Sequence, residues 1–133
     1  MAVESYDAMV PPDPQAWLAA GEQERIDLVR AYHTSIGDTG DNETLHCTLH
    51  TIVENQVALG GEMAPVGEKL RQLMVQGLDR HMALHAIMFV LAKHMQRLGS
   101  GHVQQDGHER RYFTELRRQN ARKFLMMLQS LPR

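Results

Sequence analysis

Residues 42–59 read NETLHCTLHTIVENQVAL, and this segment carries a polar and an apolar stripe at helical spacing. The polar stripe consists of Glu43, His46, His50 and Glu54, at positions i, i+3, i+7 and i+11. At about 100° per residue, these four side chains fall within roughly an 80° arc. This arc flanks the apolar stripe and does not oppose it. The segment therefore predicts an amphipathic helix that points four side chains able to ligate a metal into the core or its edge. The apolar stripe comprises Leu45, Leu49, Ile52, Val53 and Val57.

Further histidines lie on the apolar faces of two other predicted helices. His81 and His85 are four residues apart in a segment that predicts a helix from Arg80 to about Leu98. This spacing places two imidazoles one turn apart on the same face, so both can bind one ion. His33 lies within the stripe of an earlier helix that also carries Val29. Three predicted helices therefore aim five histidines inward.

The rest of the chain predicts an all-α fold. Apolar residues recur at helical spacing between turn signals such as Gly37, Gly60-Gly61 and Gly77, and no segment keeps the period-two alternation of a strand. We expect four to five helices in a compact bundle. Residues 1–13, which include Pro11 and Pro12, predict an N-terminal arm, and residues 14–133 predict a single domain.

Composition and charge restrict the classes of partner. The formal net charge of −2 gives no overall basic field, so we expect neither a nucleic-acid nor a membrane partner, while a homo-oligomer stays open. The single cysteine, Cys47, allows no internal disulfide, and no segment has the pattern of a signal peptide, so we expect a cytoplasmic protein. A basic cluster near the C-terminus is interpreted as a solvated helix face; it contains Arg110, Arg111, Arg117, Arg118, Arg122 and Lys123.

Five inward histidines favour a transition-metal site. A buried imidazole needs partners for both ring nitrogens, and one ion can satisfy several imidazoles at once. Hydrogen bonding to carbonyls is the alternative for each histidine taken singly. Histidine-rich ligation favours zinc, copper, nickel or iron over magnesium or calcium. We expect zinc first and iron second, and the number of donors leaves one or two ions open. The expected ligands are His46, His50, His81 and His85, then Glu54 and His33, with Glu43 and Cys47 as supporting residues around the ligands.

Two segments also resemble a bacterial family of unknown function. Residues 45–56 read LHCTLHTIVENQ and residues 77–87 read GLDRHMALHAI. Members of that family carry a His-x-x-x-His-x-x-x-Glu-Asn-Gln stretch followed by an Arg-His-Glu-x-x-His-Ala-Ile stretch. The resemblance covers roughly residues 12–98 and includes Trp17 and Tyr32-His33. It implies a cytoplasmic helical bundle with a metal site, and it implies no reaction.

The chain departs from this pattern at Met82, which stands where the family has glutamate. In zinc peptidases with a His-Glu-x-x-His motif, that glutamate is the general base that activates the metal-bound water. Methionine cannot accept a proton, so the substitution argues against a peptidase. The pair His81 and His85 is intact.

The sequence therefore predicts a metal-binding helical protein, and whether it is an enzyme stays open. Metal-assisted hydrolysis, with Glu54 as the base, is the reaction class we expect first. Oxygen chemistry at a di-iron centre is a second hypothesis. A third, from another class, is a metal-free protein-interaction module in which the histidines form a buried polar network.

Overall fold

The computed structural model describes residues 3–38, 40, 42–101 and 107–130. These residues form seven α-helices and one short 3₁₀ helix, Gly61–Met63. The α-helices are α1 (Pro14–Ala19), α2 (Glu22–Ser35), α3 (Glu43–Leu59), α4 (Ala64–Val75), α5 (Arg80–Gly99), α6 (His108–Arg118) and α7 (Ala121–Ser130).

The all-α prediction is confirmed, because no strand occurs in the part of the chain that the structure describes. The predicted number of helices, four to five, was too low. The basic residues expected on one helix face near the C-terminus lie in fact on two helices, α6 and α7. They are separated at Gln119, whose backbone is extended (φ −76°, ψ 141°). Arg117, Arg118, Gln119 and Asn120 include no glycine or proline, so the sequence carries no strong signal for this break.

The chain divides into two compact units, Met1–Ala64 and Pro65–Arg133. Each unit has its own buried residues. The single domain expected over residues 14–133 stays a prediction.

In the first unit, α3 packs against both α1 and α2. Asp13 caps α1 by accepting a hydrogen bond from the backbone N–H of Ala16, as the Asp-Pro pair predicts. Trp17, on α1, is fully buried, and its indole Nε1 donates to Oδ1 of Asn55 on α3 over 2.9 Å. The N-terminal arm is also part of this unit, because Tyr6 and Ala8 are buried. This packing fixes the arm beside the histidines of α3.

In the second unit, α5 packs against α6 and α7. Asp79 caps α5 by accepting from the backbone N–H of Met82. Burial of apolar side chains from all three helices supplies the hydrophobic stabilisation of this unit. Its core includes Leu84, Ile87, Leu91, Tyr112, Leu116 and Phe124.

Of the helices that the structure describes, none combines the length and apolar character needed to cross a bilayer.

Candidate metal site

Helices α2 and α3 bring three histidines together within the first unit. His33 lies in the last turn of α2, and His46 and His50 lie one turn apart on α3. His33 and His50 are fully buried, whereas His46 is partly exposed. The ring centroid of His33 lies 4.8 Å from that of His46 and 4.9 Å from that of His50. One nitrogen from each of the three rings lies within 4.8 Å of the others.

The two nitrogens of His33 have different surroundings. Nδ1 lies 2.8 Å from the carbonyl oxygen of Val29, one turn earlier in α2. Since a carbonyl only accepts, Nδ1 is the donor, and the neutral ring therefore carries its lone pair on Nε2. Nε2 of His33 lies 3.1 Å from Nε2 of His46. Burial, followed by the nearby His33, lowers the pKa of His46, whereas Asp38 acts to raise it. The net shift favours the neutral imidazole, the form that ligates a metal.

The end of α2 brings a carboxylate beside His33. Gly37 adopts a left-handed conformation (φ 73°), and its N–H donates to the carbonyl of Thr34. The N–H of Asp38 then donates to the carbonyl of His33 over 2.9 Å, which completes a Schellman motif. Oδ2 of Asp38 consequently lies 4.0 Å from Nε2 of His33. Gly37 predicted only a turn here, and Asp38 was not among the predicted donors.

His50 belongs to a buried chain of three polar side chains. The Tyr6 hydroxyl lies 2.8 Å from Nε2 of His50, and it donates a short hydrogen bond to Oε2 of Glu54. A hydroxyl has one proton, so Tyr6 accepts from Nε2–H of His50 while it donates to Glu54. This tautomer carries the lone pair of His50 on Nδ1. Glu54, which was predicted as a ligand or base, is fully buried and holds Tyr6 in place. Nothing in the sequence pattern of the arm singles out Tyr6.

Glu43 and Cys47, the two predicted supporting residues, lie beside His46. A small cavity of about 70 Å³ is lined by Asp38, Gly40, Glu43, His46 and Cys47. Oε1 of Glu43 lies 3.9 Å from Nε of Arg30. Cys47 is fully buried, and burial raises the pKa of its thiol, which favours the protonated form that does not ligate a metal.

The other predicted pair, His81 and His85, lies in the first two turns of α5, in the second unit. Both residues are partly exposed, and their ring centroids are 4.3 Å apart. One nitrogen of each ring lies within 4.8 Å of the other. The expected juxtaposition of these two imidazoles on one face of α5 is present. Their participation in one site with the histidines of α3 stays a prediction.

The second unit also contains a histidine pair that the sequence analysis did not anticipate. Nε2 of His94 lies 3.1 Å from Nδ1 of His108, and His94 is buried. His108 begins α6 and is only partly exposed. The separation of His94 and His108 along the chain concealed their contact.

Comparisons with protein families, with characterised proteins and with solved structures found no match to this chain.

Proposed function

We propose that the first unit of this protein binds a transition-metal ion through His33, His46 and His50. The convergence of these three imidazoles, with one nitrogen of each within 4.8 Å of the others, is the observation that carries the proposal. Two of these imidazoles, His33 and His50, are fully buried, and a buried ring nitrogen without a partner is costly. One ion replaces several of those partners.

The environment of His33 supports a role as a ligand through Nε2. Its Nδ1 donates to the carbonyl of Val29, which fixes both the tautomer and the ring orientation. Metal-ligating histidines commonly donate their other ring N–H to a carbonyl or carboxylate in this way. The arrangement therefore presents the lone pair of Nε2 before any ion is bound.

The spacing of His33 and His46 fits two ligands of one ion. Zinc–nitrogen bonds of about 2.0–2.1 Å at a tetrahedral angle place two ligating nitrogens roughly 3.3 Å apart. The two Nε2 atoms here are 3.1 Å apart. An N–H···N hydrogen bond explains the same distance if Nε2 of His46 carries a proton. Metal analysis distinguishes these two arrangements.

His50 supplies the third lone pair through Nδ1, because its Nε2–H donates to Tyr6. Tyr6 and Glu54 are therefore assigned to orienting His50, and Glu54 acts through Tyr6. Buried groups of this kind typically change metal affinity by about 10–100-fold when they are replaced. Oδ2 of Asp38 lies 4.0 Å from Nε2 of His33 and places a carboxylate beside one of the three proposed ligands.

Three imidazole ligands fit zinc or iron better than magnesium or calcium. One ion accounts for the donors of the first unit, and a second ion at His81 and His85 remains part of the hypothesis. A bound zinc ion would supply Lewis acidity and lower the pKa of a water ligand toward neutrality. Hydrolysis is the reaction class we assign on that basis. Because Oε2 of Glu54 accepts from Tyr6, proton transfer at Glu54 would involve the Tyr6 hydroxyl.

The direct test is metal analysis of the full chain, purified without a polyhistidine tag. We expect copurified zinc or iron at about one ion per chain, its loss on chelation, and its recovery when Zn²⁺ is added. Co²⁺ substitution should give visible absorption bands, which report nitrogen ligation directly.

Ligand variants and a matched control complete this test. His33→Ala and His46→Ala should each lower Zn²⁺ affinity at least about tenfold, whereas His108→Ala, in the second unit, should not. Absence of metal after purification and after reconstitution would overturn the proposal in favour of the metal-free histidine network. Full occupancy in both His33→Ala and His46→Ala would place the ion elsewhere.

A further inference from the structure

Helices α5, α6 and α7 of the second unit surround a cleft of about 150 Å³, well separated in sequence from the histidines of α2 and α3. We propose that this cleft binds a small organic carboxylate with an apolar body. The cleft has one apolar wall and one basic wall, and neither was assigned a role by the sequence patterns. The proposal does not depend on the metal site.

The apolar wall combines residues from two helices. Phe89 and Val90 come from α5, and Phe124 and Met127 come from α7. Phe124 is almost completely buried, and the other three are partly exposed. An apolar ligand group placed here would cover surface that water now contacts, and that burial would favour binding.

The basic wall consists of Lys93, Arg97 and Lys123. Nζ of Lys93 lies 4.9 Å from the centroid of the Phe89 ring, so positive charge borders the apolar wall directly. A ligand with an anionic head and an apolar body therefore meets the complementary group at each end.

Among the residues that the structure describes, Glu115 is the one acidic residue that lines the cleft, and arginines surround its carboxylate. Its Oε1 lies 3.3 Å from Nε of Arg111, 3.4 Å from Nη1 of Arg118 and 4.0 Å from Nη1 of Arg97. One carboxylate cannot neutralise three guanidinium groups and two lysines. The wall keeps a net positive charge.

The surrounding sequence strengthens this field. Residues 80–130 contain nine lysines and arginines against three acidic residues, although the whole chain has a formal net charge of −2. Basic residues concentrated around one cleft attract anions and raise their rate of association. Of the C-terminal basic cluster, Lys123 lines the cleft, and Arg111 and Arg118 pair with Glu115, which also lines it.

The size of the cleft limits the ligand. A cavity of about 150 Å³ accommodates a ring the size of benzene. A carboxylate carrying one ring or a chain of about six to eight carbons therefore fits, with its head toward the lysines. A nucleic acid would contact the basic residues but would leave the apolar wall unused.

Titration of the full chain with octanoate, followed by NMR shifts of backbone amides, tests the proposal. We expect saturable shifts that centre on α5 and α7. Acetate has the same charge without the apolar body, and 1-octanol has the body without the charge. Each should bind at least about tenfold more weakly than octanoate. Equal binding of octanoate and 1-octanol, or no saturation by octanoate, would overturn the proposal.

A matched pair of variants locates the site. Lys123→Gln removes a cation from the cleft, whereas Arg122→Gln removes one from the adjacent exposed position, which does not line it. Lys123→Gln should weaken octanoate about tenfold and leave 1-octanol unchanged, and Arg122→Gln should change neither. Equal weakening by both variants would indicate attraction by net charge alone. Displacement of octanoate by a short RNA at equal concentration would assign the cleft to nucleic acid and overturn the proposal.

Discussion

The hydroxyl of Tyr6 donates a hydrogen bond to the carboxylate of Glu54, which follows it by 48 positions in the chain. Tyr6 lies in the N-terminal arm and Glu54 lies in the middle of α3, where both are buried. The same hydroxyl lies 2.8 Å from Nε2 of His50. One hydroxyl therefore ties the arm to α3 and orients a proposed metal ligand.

Replacing Tyr6 with phenylalanine tests both roles of this hydroxyl. The phenylalanine ring of Tyr6→Phe keeps its packing against Trp17, whose ring centroid lies 5.3 Å away. The variant lacks the hydroxyl that hydrogen-bonds to His50 and Glu54. Buried polar groups that lose a partner cost about 1–3 kcal/mol, so urea unfolding should show a loss of that size. Zinc affinity should also fall about 10–100-fold.

Ser5→Ala is the control for this variant, because Ser5 is an exposed neighbour in the same arm. Its free energy of unfolding should change by less than about 0.5 kcal/mol. If Tyr6→Phe lowers stability but leaves zinc affinity unchanged, the orienting role is wrong and only the structural role survives.

The sequence predicts the all-α class and several local features, but neither the number of helices nor their long-range contacts. The histidine spacing on α3 and α5 and the caps at Asp13 and Asp79 follow from local rules, which depend on residues within one or two turns. The contact of Tyr6 with His50 depends instead on how the arm packs, and no periodic pattern encodes that. The pairing of His94 with His108 escaped prediction for the same reason.

Asp38 is a different case, since a local rule could have found it. Gly37 two residues after the end of α2 is the usual position for a left-handed C-terminal residue. In the Schellman motif that results, the backbone N–H of the next residue, Asp38, donates to the carbonyl of His33. From the sequence, Gly37 predicted only the end of a helix.

Gly37→Ala should therefore affect both stability and the proposed site. Alanine in the left-handed region costs about 1–2 kcal/mol, and relief of that strain would shift Asp38 away from His33. We expect a lower urea midpoint and weaker zinc binding. Gly40→Ala is the matched control in the same loop, because its added Cβ meets no atom within 4 Å. Equal effects of the two substitutions would contradict the explanation.

Metal binding should increase the free energy of unfolding. An ion that binds only the folded protein stabilises it by about 2.7 kcal/mol when its free concentration is a hundredfold above the dissociation constant. Excess Zn²⁺ added to the chelated protein should therefore raise the urea midpoint. His33→Ala should respond much less, because it lacks one ligand. An unchanged urea midpoint of the unmodified protein on addition of Zn²⁺ would contradict the proposed site.

Lys69 should stabilise the break between α6 and α7. It is almost completely buried, and its ammonium group donates to the carbonyls of Gln119 (2.7 Å) and Arg117 (3.3 Å) at the end of α6. Lys69→Met keeps much of the side-chain volume but leaves these carbonyls without the cation. We expect a loss of about 1–3 kcal/mol in the free energy of unfolding. Arg71→Met, an exposed position on the same helix, should cost under about 0.5 kcal/mol.

The buried His94 should make stability depend on pH. Burial lowers the pKa of His94 from its ordinary value of 6.5, and His108, Arg97 and Arg111 lower it further, while Glu115 acts in the opposite direction. Arg97 shares α5 with His94, and the other three groups come from α6. The folded protein therefore resists protonation of His94 more than the unfolded chain does.

The sign of the effect follows from this difference. Above pH 6.5 the imidazole is neutral in both states, so its contribution to stability is fully present. As the pH falls below that value, the unfolded chain takes up a proton first, and stability is lost. Urea unfolding followed by circular dichroism at pH 7.5 and pH 5.5 should show this loss, and His94→Phe should reduce it. Arg111→Gln should also reduce it, because Arg111 contributes to the lowered pKa. Identical losses in all three proteins would show that His94 does not control the pH dependence.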